Sequence, residues 1–307
     1  MEQVNIILAT YQGEKYIKEQ LDSILNSTFT DFIVSVYDDG SKDRTLEIVE
    51  GYVKKYPNRI QLFCNKSNQG HFNNFMQGVI ANPHPYIMFC DQDDIWNSDK
   101  IKDTYECMIR AEKQHKEETP IAVFTDATVV DENLNVLNES FHKAGNLDTK
   151  LLDLPHMLME NKIMGCTMMM NRALIEKVVS LPKQARFHDW WLALIAAAYG
   201  KIIYLPKATM KYRQHGNNVV GNVSFAQYIR NRVQNLSKQR KAIKETIQQA
   251  EDFYSMYENS LPDNAKHMVQ QFAAMKTAGF IKRRQIVLKN KFFKTGLVRN
   301  LGLMFLL

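Results

Sequence analysis

The chain has 307 residues, of which 45% are hydrophobic and 23% are charged, and its 39 Lys and Arg exceed its 33 Asp and Glu to give a formal net charge of +6. This composition, with 13 Gly and 8 Pro, indicates a globular protein with a sizeable core and excludes a disordered chain. The four cysteines are too widely spaced to indicate a zinc site or a disulfide framework, no run of about 18 apolar residues predicts a membrane-spanning helix, and the N-terminus lacks the features of a signal peptide.

Strand-like and helical patterns alternate through the first 90 residues. Apolar runs of strand length occur at Val4–Ala9, Phe32–Tyr37, Ile60–Cys64 and Tyr86–Cys90, and segments with helical spacing of apolar residues lie between them at Glu14–Asn26, Thr45–Tyr56 and His71–Ala81. This alternation predicts an α/β fold with a mainly parallel, doubly wound sheet flanked by helices. The carboxyl ends of the parallel strands then share one edge, which is where such sheets bind ligands.

Three carboxylates follow the fourth predicted strand, in the segment Asp91-Gln92-Asp93-Asp94. Carboxylate oxygens are the ligands that Mg²⁺ and Mn²⁺ prefer, and a nucleoside diphosphate needs such a cation to offset its charge. An acidic turn that caps the helix expected after Ser98 accounts for the same residues, because Asp is common in turns and at helix N-termini. By itself the segment leaves both interpretations open.

Two further polar segments are expected at the same edge. Asp38 and Asp39 end the second strand, where one carboxylate could accept hydrogen bonds from a base or a ribose; an ordinary strand-to-helix turn explains the following Gly and Ser equally well. Asn68-Gln69-Gly70 precedes the third helix, whose backbone N–H groups could face a phosphate or belong to a simple polar cap.

The second half of the predicted body contains fewer clear signals. Ile121–Val130 is strand-like with an interruption at Thr125–Ala127, Met164–Met170 predicts another strand, and Arg172–Ser180 predicts a helix. A further helix is expected from His188 to Ala198. Asp189 in its first turn is an acid favoured by the helix dipole, and the two following tryptophans are compatible with core packing.

The C-terminal part has a different composition. Residues 225–307 contain 15 Lys and Arg against 5 Asp and Glu, and they predict helices at Phe225–Asn259 and Asp263–Asn290. Residues 281–294 mix cations with apolar side chains, and residues 301–307 are apolar. Such a region can lie on an anionic membrane, pack on the body of the protein or form a homodimer. We expect no nucleic-acid binding, because the charge is not accompanied by a recognised binding motif.

Four segments together resemble the inverting glycosyltransferases of family 2, which have the GT-A fold. They are Ile6–Gly13, Tyr37–Asp43, Asn68–Gly70 and Asp91–Trp96, and the resemblance extends over roughly residues 3–220. It implies a Rossmann-like GT-A catalytic domain at residues 1–222, with a nucleotide-binding half at 1–110 and an acceptor-binding half at 111–222. Residues 223–307 would form a basic helical C-terminal extension that docks on a membrane or dimerises.

The resemblance also implies roles for individual residues. Asp39 should contact the base with Asp38 beside it, and the full set expected to bind the nucleotide sugar is Thr10, Tyr11, Asp38, Asp39, Asn68, Gly70, Asp91 and Gln92. The position of a nucleoside-contacting Thr in some members is Ala9 here, so that contact passes to Thr10 or is absent.

The metal and the base are likewise assigned by resemblance. Mn²⁺ or Mg²⁺ should bind Asp91, Asp93 and His215, with Asp93 as the direct ligand. Asp189 should be the general base that deprotonates the acceptor. Residues expected to contact the acceptor or the transferred sugar are Trp96, Gly165, Cys166, His188, Trp190, Trp191 and Arg213.

The string Arg213-Gln214-His215-Gly216-Asn217-Asn218 is similar to the branch of the family that contains many bacterial rhamnosyltransferases. This similarity implies transfer of L-rhamnose from dTDP-L-rhamnose to a lipid-linked saccharide, in cell-wall or capsular polysaccharide synthesis, by a cytoplasmic enzyme held peripherally at the inner membrane face. A family-2 transferase that uses a UDP-hexose or UDP-N-acetylhexosamine is the alternative. A Mg²⁺-dependent phosphatase and a non-catalytic membrane scaffold are more distant alternatives.

Overall fold

A computed structural model of the chain describes residues 3–80, 82–215 and 235–307. They form two compact units. Unit 1 contains the described residues of Met1–Phe141, Ile163–Leu181 and Ile203–Gly221, and unit 2 contains those of His142–Lys162, Pro182–Ile202 and Asn222–Leu307. Two internal segments of the chain therefore belong to the same unit as the C-terminal helices.

The first part of the chain alternates strands and helices. Its elements are β1 (Val4–Thr10), α1 (Ile17–Leu25), β2 (Phe32–Asp38), α2 (Thr45–Lys55), β3 (Ile60–Cys64), α3 (His71–Ile80), β4 (Tyr86–Cys90), β5 (Ile95–Trp96) and α4 (Lys100–His115). The four predicted strands and three predicted helices of this region are confirmed to within a few residues at their ends.

The second part has shorter and less regular elements. They are β6 (Ile121–Val130), β7 (Val136–Asn138), α5 (Phe141–Ala144), α6 (Leu154–Met159), β8 (Met168–Asn171), α7 (Arg172–Ile175), α8 (His188–Tyr199), β9 (Lys201–Arg213), α9 (Leu236–Tyr257), α10 (Asp263–Ala273), α11 (Phe280–Asn290) and α12 (Leu297–Leu306). Of the described helices, none combines the length and the apolar character needed to cross a membrane.

The strands form one sheet in the order β3-β2-β1-β4-β8-β6-β9-β5, with β7 paired to β6. The pairs β1–β2, β1–β4 and β2–β3 are parallel, whereas β8 is antiparallel to both β4 and β6. The α/β class and the parallel arrangement of the first four strands are confirmed. Because β1 lies between β2 and β4, the carboxyl ends of these three strands meet at one edge.

Burial in the sheet follows from its layers. Every residue of β1 and β4 is buried, since helices cover both faces of a parallel sheet, and β3 at the edge is largely exposed. Helix α3 lies very close to β1: a Cβ at Gly78 would be 2.8 Å from Ile7 Cγ2 and 2.9 Å from Tyr37 Cε2. Glycine at this position permits the close approach.

Several predicted boundaries in the second half are wrong. The expected strand Met164–Met170 begins as a 3-10 turn at Gly165–Thr167, which the Thr167 hydroxyl closes by donating to the Met164 carbonyl oxygen at 2.7 Å. The helix expected at Arg172–Ser180 ends at Ile175, and β6 continues without the expected interruption.

The C-terminal helices also differ from the predicted ones. The helix expected at Asp263–Asn290 is two helices, separated by a 3-10 turn at Ala274–Lys276 and restarted after Gly279. The expected helix Phe225–Asn259 is described from Leu236 to Tyr257, and its residues 225–234 lie outside the described ranges. In unit 2, the fully buried Trp191 packs on Phe253 and Tyr257 of α9, with ring centroids 5.2 and 6.2 Å away.

Candidate functional site

The strand ends in unit 1 gather polar side chains from β1, β2 and the segment after β4. At the end of β1, the buried Thr10 hydroxyl donates to Asp38 Oδ2 at 2.9 Å. Asp38 also accepts hydrogen bonds from the backbone N–H groups of Gly40 and Ser41, at 3.0 and 2.8 Å. Gly40 has a φ of +81°, which the turn requires. Asp38 thus stabilises the strand-to-helix turn, which is one of the two interpretations that the sequence offered for this segment.

Asp39 holds the loop that precedes α3. Its carboxylate accepts from Asn65 Nδ2 at 2.9 Å and from the backbone N–H groups of Gln69 and Gly70, at 2.7 and 2.8 Å. The exposed Asn68 side chain also accepts from the Gly70 N–H, at 2.9 Å. The segment Asn68–Gly70, which is expected to bind the nucleotide, is therefore hydrogen-bonded to Asp39, the residue expected to contact the base.

Gln92 links the loop between β1 and α1 to the acidic segment by two hydrogen bonds. Its side-chain amide accepts from the Tyr11 N–H at 2.9 Å and donates to the Tyr11 carbonyl oxygen at 3.1 Å. A Cβ at Gly13 would lie 2.2 Å from Gln92 Oε1, so a larger residue there would have to displace the Gln92 side chain. The Tyr11 side chain remains 46% exposed at the edge of the sheet.

Asp93 and His215 are direct neighbours, although 122 positions separate them in the chain. Asp93 Oδ2 lies 2.8 Å from His215 Nε2, and the His215 ring stacks on Tyr16 with centroids 5.2 Å apart. Burial, together with the charge of Asp91, raises the pKa of Asp93, and the contact with His215 opposes this shift. Two of the three predicted metal ligands are therefore in direct contact.

Asp94 points a carboxylate oxygen into the same cluster. The residue is 1% exposed; Oδ1 accepts from the Arg213 N–H at 3.0 Å, and Oδ2 has no hydrogen-bond partner within the described part of the chain. One ligand atom each from Asp91, Asp94 and Cys166 lies within 4.8 Å of the others. Burial and the charges of the neighbouring aspartates raise the pKa of Asp94 well above its usual range.

These carboxylate oxygens fit a hard divalent cation. A bound cation would give the buried Asp94 Oδ2 a partner. Its positive charge would also lower the raised carboxyl pKa values of Asp93 and Asp94. Cys166 fits less well as a ligand, because burial raises the pKa of its thiol well above the usual range and a neutral thiol does not suit Mg²⁺.

Arg213 connects the acidic segment by hydrogen bonds to α1 and to the segment after β6. The guanidinium donates from Nε to the Asp93 carbonyl oxygen at 2.9 Å, from Nη1 to the Glu132 carbonyl oxygen at 2.9 Å and from Nη2 to Glu19 Oε2 at 2.6 Å. Its side chain is only 4% exposed. In the structure, this residue positions Asp93 through its backbone carbonyl, and the expected contact of Arg213 with the acceptor or the sugar stays a prediction.

Trp96 is also interior. It is 4% exposed, and the Nζ atom of the fully buried Lys100 lies 4.8 Å from the centroid of its ring. Lys100 Nζ donates to Thr209 Oγ1 at 3.2 Å, and burial lowers the pKa of this lysine to about 8. Gly165 is buried in the turn that carries Cys166.

His71 is a site residue that the sequence analysis missed. It is the first residue of α3, is 47% exposed, and its Nε2 atom lies 3.5 Å from Asp91 Oδ1. The available signal was its place directly after the Asn-x-Gly segment. Nothing in the local sequence indicated that α3 would bring it to the acidic segment.

Asp189 lies in unit 2, as the second residue of α8. Its Oδ1 atom accepts from Asn161 Nδ2 at 3.1 Å and from the Trp190 N–H at 2.6 Å. The carboxylate is half-buried, whereas His188 is 4% and Trp190 is 3% exposed. Trp190 Nε1 donates to the Met157 carbonyl oxygen at 2.6 Å, so this tryptophan and Trp191 pack as core.

Comparison with known proteins identifies the family. The model for "Glycosyl transferase family 2" matches residues 5–116. A "dTDP-rhamnosyl transferase RfbG" from Shigella flexneri is 34% identical over 233 residues, covering 71% of this chain and 75% of that protein. The chain belongs to glycosyltransferase family 2. It is therefore a glycosyltransferase, and the expected family is confirmed.

A second relative is less similar in sequence. An uncharacterised glycosyltransferase from Haemophilus influenzae is 26% identical over 219 residues, which are 70% of this chain and 66% of that protein. Against that relative, the chain matches about two thirds of the full length.

Solved structures confirm the GT-A fold. Residues 1–349 of S. aureus TarS, crystallised with UDP-GlcNAc, superpose with a TM-score of 0.57 at 19% identity, covering 90% of this chain and 71% of that one. The mannosyltransferase PcManGT from Pyrobaculum calidifontis, in complex with GDP-Man and Mn²⁺, gives a TM-score of 0.56 at 15% identity, covering 93% and 73%.

Proposed function

We propose that this glycosyltransferase moves L-rhamnose from dTDP-L-rhamnose onto a lipid-linked saccharide, with inversion at the anomeric carbon. The single observation that carries the choice of donor is the 34% identity to a dTDP-rhamnosyl transferase over 71% of the chain. The product would extend a cell-wall or capsular polysaccharide. The enzyme would act on the cytoplasmic side, held peripherally at the inner membrane face, because a lipid-linked acceptor is anchored there.

The acidic segment after β4 is the proposed donor site. Asp91, Asp93 and His215 would hold Mn²⁺ or Mg²⁺, and the orphaned oxygen of Asp94 makes this residue a further candidate ligand. The bound cation would offset the negative charge of the leaving diphosphate. Arg213 would fix the backbone at Asp93, as its hydrogen bond to that carbonyl oxygen indicates.

The nucleoside would bind along the same edge of unit 1. Asp39 is the proposed base contact, and a bound base would compete with the loop N–H groups that this carboxylate now accepts from. Tyr11 is the half-exposed aromatic residue of the set and could stack on the base. The other proposed contacts are Thr10, Asp38, Asn68, Gly70, Asp91 and Gln92.

Asp189 is the proposed general base. As the acceptor oxygen forms its bond to the anomeric carbon, the bond from that carbon to the diphosphate oxygen breaks, and the acceptor proton moves to the carboxylate. A positioned base of this kind contributes roughly 10²–10⁴-fold to the rate. Asn161 and the Trp190 N–H orient Oδ1, which supports the assignment. His188, Trp190 and Trp191 would shape the surroundings, since all three are buried.

The donor is tested by transfer from dTDP-L-rhamnose to a synthetic rhamnose- or GlcNAc-terminated lipid acceptor, with the product read by mass. Reactions contain Mn²⁺, Mg²⁺ or EDTA, and UDP-glucose and UDP-GlcNAc are run in parallel. We expect a metal-dependent gain of one deoxyhexose. Transfer only from a UDP sugar would overturn the rhamnose assignment, and release of phosphate without any glycosyl product would favour a phosphatase.

The base is tested by Asp189→Asn, which keeps the size of the side chain and removes its basicity. Transfer should fall about 10²-fold or more, while the affinity for donor measured by calorimetry stays within about twofold. Asp263→Asn is the matched control, because Asp263 is an exposed acid in the first turn of α10 in the same unit. Wild-type turnover by Asp189→Asn would exclude the assignment.

A further inference from the structure

Helix α12 exposes its apolar residues and buries its one charged residue. Leu297, Val298, Leu301 and Phe305 are 74%, 51%, 63% and 67% exposed, and their spacing places them on one side of the helix. We name these four residues the apolar face of α12. Arg299 is 7% exposed on the opposite side. An ordinary surface helix has the reverse arrangement, so this face is expected to be covered by something else.

The orientation of α12 is fixed by hydrogen bonds within unit 2. Arg299 Nη1 donates to the Asn146 carbonyl oxygen at 2.9 Å and lies 3.4 Å from Glu160 Oε1. The Thr295 N–H, just before the helix, donates to Glu160 Oε2 at 2.7 Å. Leu303 is buried on the same side as Arg299. The apolar face is therefore held outward by specific bonds and is not the result of a frayed end.

The sequence segment that contains α12 is cationic. Residues 264–307 contain nine Lys and Arg and no Asp or Glu. Within this segment, Lys282, Lys289 and Lys291 are exposed, whereas the exposed Lys276 is ion-paired with Glu251. An outward apolar face in an acid-free, basic segment matches one chemistry in particular, a surface that is apolar inside and anionic outside.

We propose that the apolar face of α12 docks into the interface of an anionic lipid bilayer. Ten residues of helix span about 15 Å, half of the roughly 30 Å hydrocarbon core, so α12 can lie in the interface and cannot cross it. A second copy of the chain fits less well, because a symmetric contact through this face would bring two sets of cations together.

This docking deepens the proposed function, and it rests on that function only for the presence of a lipid-linked acceptor. Unit 2 contains both α12 and Asp189. Attachment through α12 would therefore give the candidate base a defined orientation relative to the membrane in which the acceptor lipid is anchored.

The apolar contribution is tested by flotation of the full chain with vesicles of phosphatidylcholine containing phosphatidylglycerol. The wild-type chain should bind these vesicles, and Leu301→Asp/Phe305→Asp should lower the partition coefficient about tenfold or more. Val179→Asp is the matched control, because Val179 is a 64% exposed apolar residue of unit 1 and should leave binding unchanged. Circular dichroism on each variant checks that it is folded.

The cationic contribution is tested separately, so that the proposal does not depend on one variant. Lys289→Gln/Lys291→Gln should weaken binding about tenfold, because each cation near an anionic surface favours association. Lys54→Gln/Lys55→Gln removes two exposed charges from α2 and should have little effect. Vesicles of phosphatidylcholine alone should bind the wild-type chain weakly.

Three results would overturn docking: no binding of the wild-type chain to anionic vesicles, equal binding by Leu301→Asp/Phe305→Asp, or a wild-type dimer that this double variant converts to a monomer. Failure of the proposed function looks different. If docking is correct and the rhamnose assignment is wrong, vesicle binding persists without transfer from dTDP-L-rhamnose. If the rhamnose assignment is correct and docking is wrong, transfer from dTDP-L-rhamnose persists, and Leu301→Asp/Phe305→Asp leaves transfer to a vesicle-embedded acceptor unchanged.

Discussion

Buried ionisable side chains surround the end of β4, and they have opposite signs. Asp93 and Asp94 have raised pKa values because burial disfavours the carboxylate and neighbouring aspartates add like charge. Lys100 has a pKa lowered to about 8 for the same reason, since burial disfavours its ammonium form. A folded chain that keeps these groups in its interior gives up stability to hold them, which is characteristic of a functional site.

Lys100→Met should raise the free energy of unfolding at pH 7. In the wild-type chain the unfolded state binds more protons than the folded state between the folded pKa of about 8 and the unfolded value of 10.5, so stability rises with pH across that window. The full effect is on the order of 3 kcal/mol. The variant should lose this part of the pH dependence. Urea unfolding at pH 7, 8, 9 and 10 measures it, and parallel curves for both proteins would contradict the low pKa.

Asp93→Asn should weaken the binding of Mn²⁺. The change removes one carboxylate charge from the proposed ligand set and leaves the Arg213 hydrogen bond to the backbone in place. We expect a loss of roughly 10–100-fold, measured by the free Mn²⁺ signal in electron paramagnetic resonance. Asp99→Asn is the control, because Asp99 is an exposed acid before α4 that takes no part in the cluster. Unchanged affinity in Asp93→Asn would remove Asp93 from the ligand set.

At the scale of elements, the regular alternation of the first 90 residues predicted the strands and helices there correctly. In the second half of the chain, several predicted boundaries differ from the observed ones. Apolar runs of strand length, separated by segments with helical spacing, identified β1 to β4. The Met164–Met170 run is also mostly apolar, so its composition could not show that a hydrogen-bonded turn at Gly165–Thr167 replaces the first part of the strand. In the C-terminal region, a 3-10 turn at Ala274–Lys276 and Gly279 at the N-cap of α11 divide the expected single helix into two.

Gly78→Ala should destabilise the fold by about 1–3 kcal/mol, because the added methyl group must displace Ile7 or Tyr37 where α3 meets β1. Gly51→Ala is the matched control in another helix. A Cβ at Gly51 meets nothing within 4 Å, and alanine there should stabilise α2 by about 0.5–1 kcal/mol. Chemical denaturation measures both changes. Effects of the same sign and size would contradict the close approach of α3.

At the scale of the whole molecule, charge is unevenly distributed along a chain whose net charge is +6. Residues 225–307 carry 15 Lys and Arg against 5 Asp and Glu, a balance of +10, which leaves 6 − 10 = −4 for residues 1–224. The acids needed for a donor site and the cations suited to a membrane are thus separated in sequence. This separation allows the two proposed functions to respond differently to salt.

Raising the ionic strength from about 0.1 M to about 1 M should slow transfer to an acceptor embedded in anionic vesicles. The Debye length falls from about 10 Å to about 3 Å, which screens the attraction between cations and lipid. Transfer to a soluble acceptor should change much less. Initial rates with both acceptors provide the measurement, and an equal decline in the two would argue against electrostatic docking.

The sequence by itself determined the α/β class, the order of the first seven elements and the family, because these depend on local periodicity and on short ordered motifs. It also placed Asp91–Asp94 at the end of a buried strand, where the structure has them. The resemblance also placed His215 with Asp93 at one metal site. Only the tertiary structure decided that Arg213 meets Glu19 and Arg299 meets Glu160, which are separated by 194 and 139 positions. Such pairings depend on how distant elements pack, and the same packing buries the tryptophans and turns the apolar face of α12 outward.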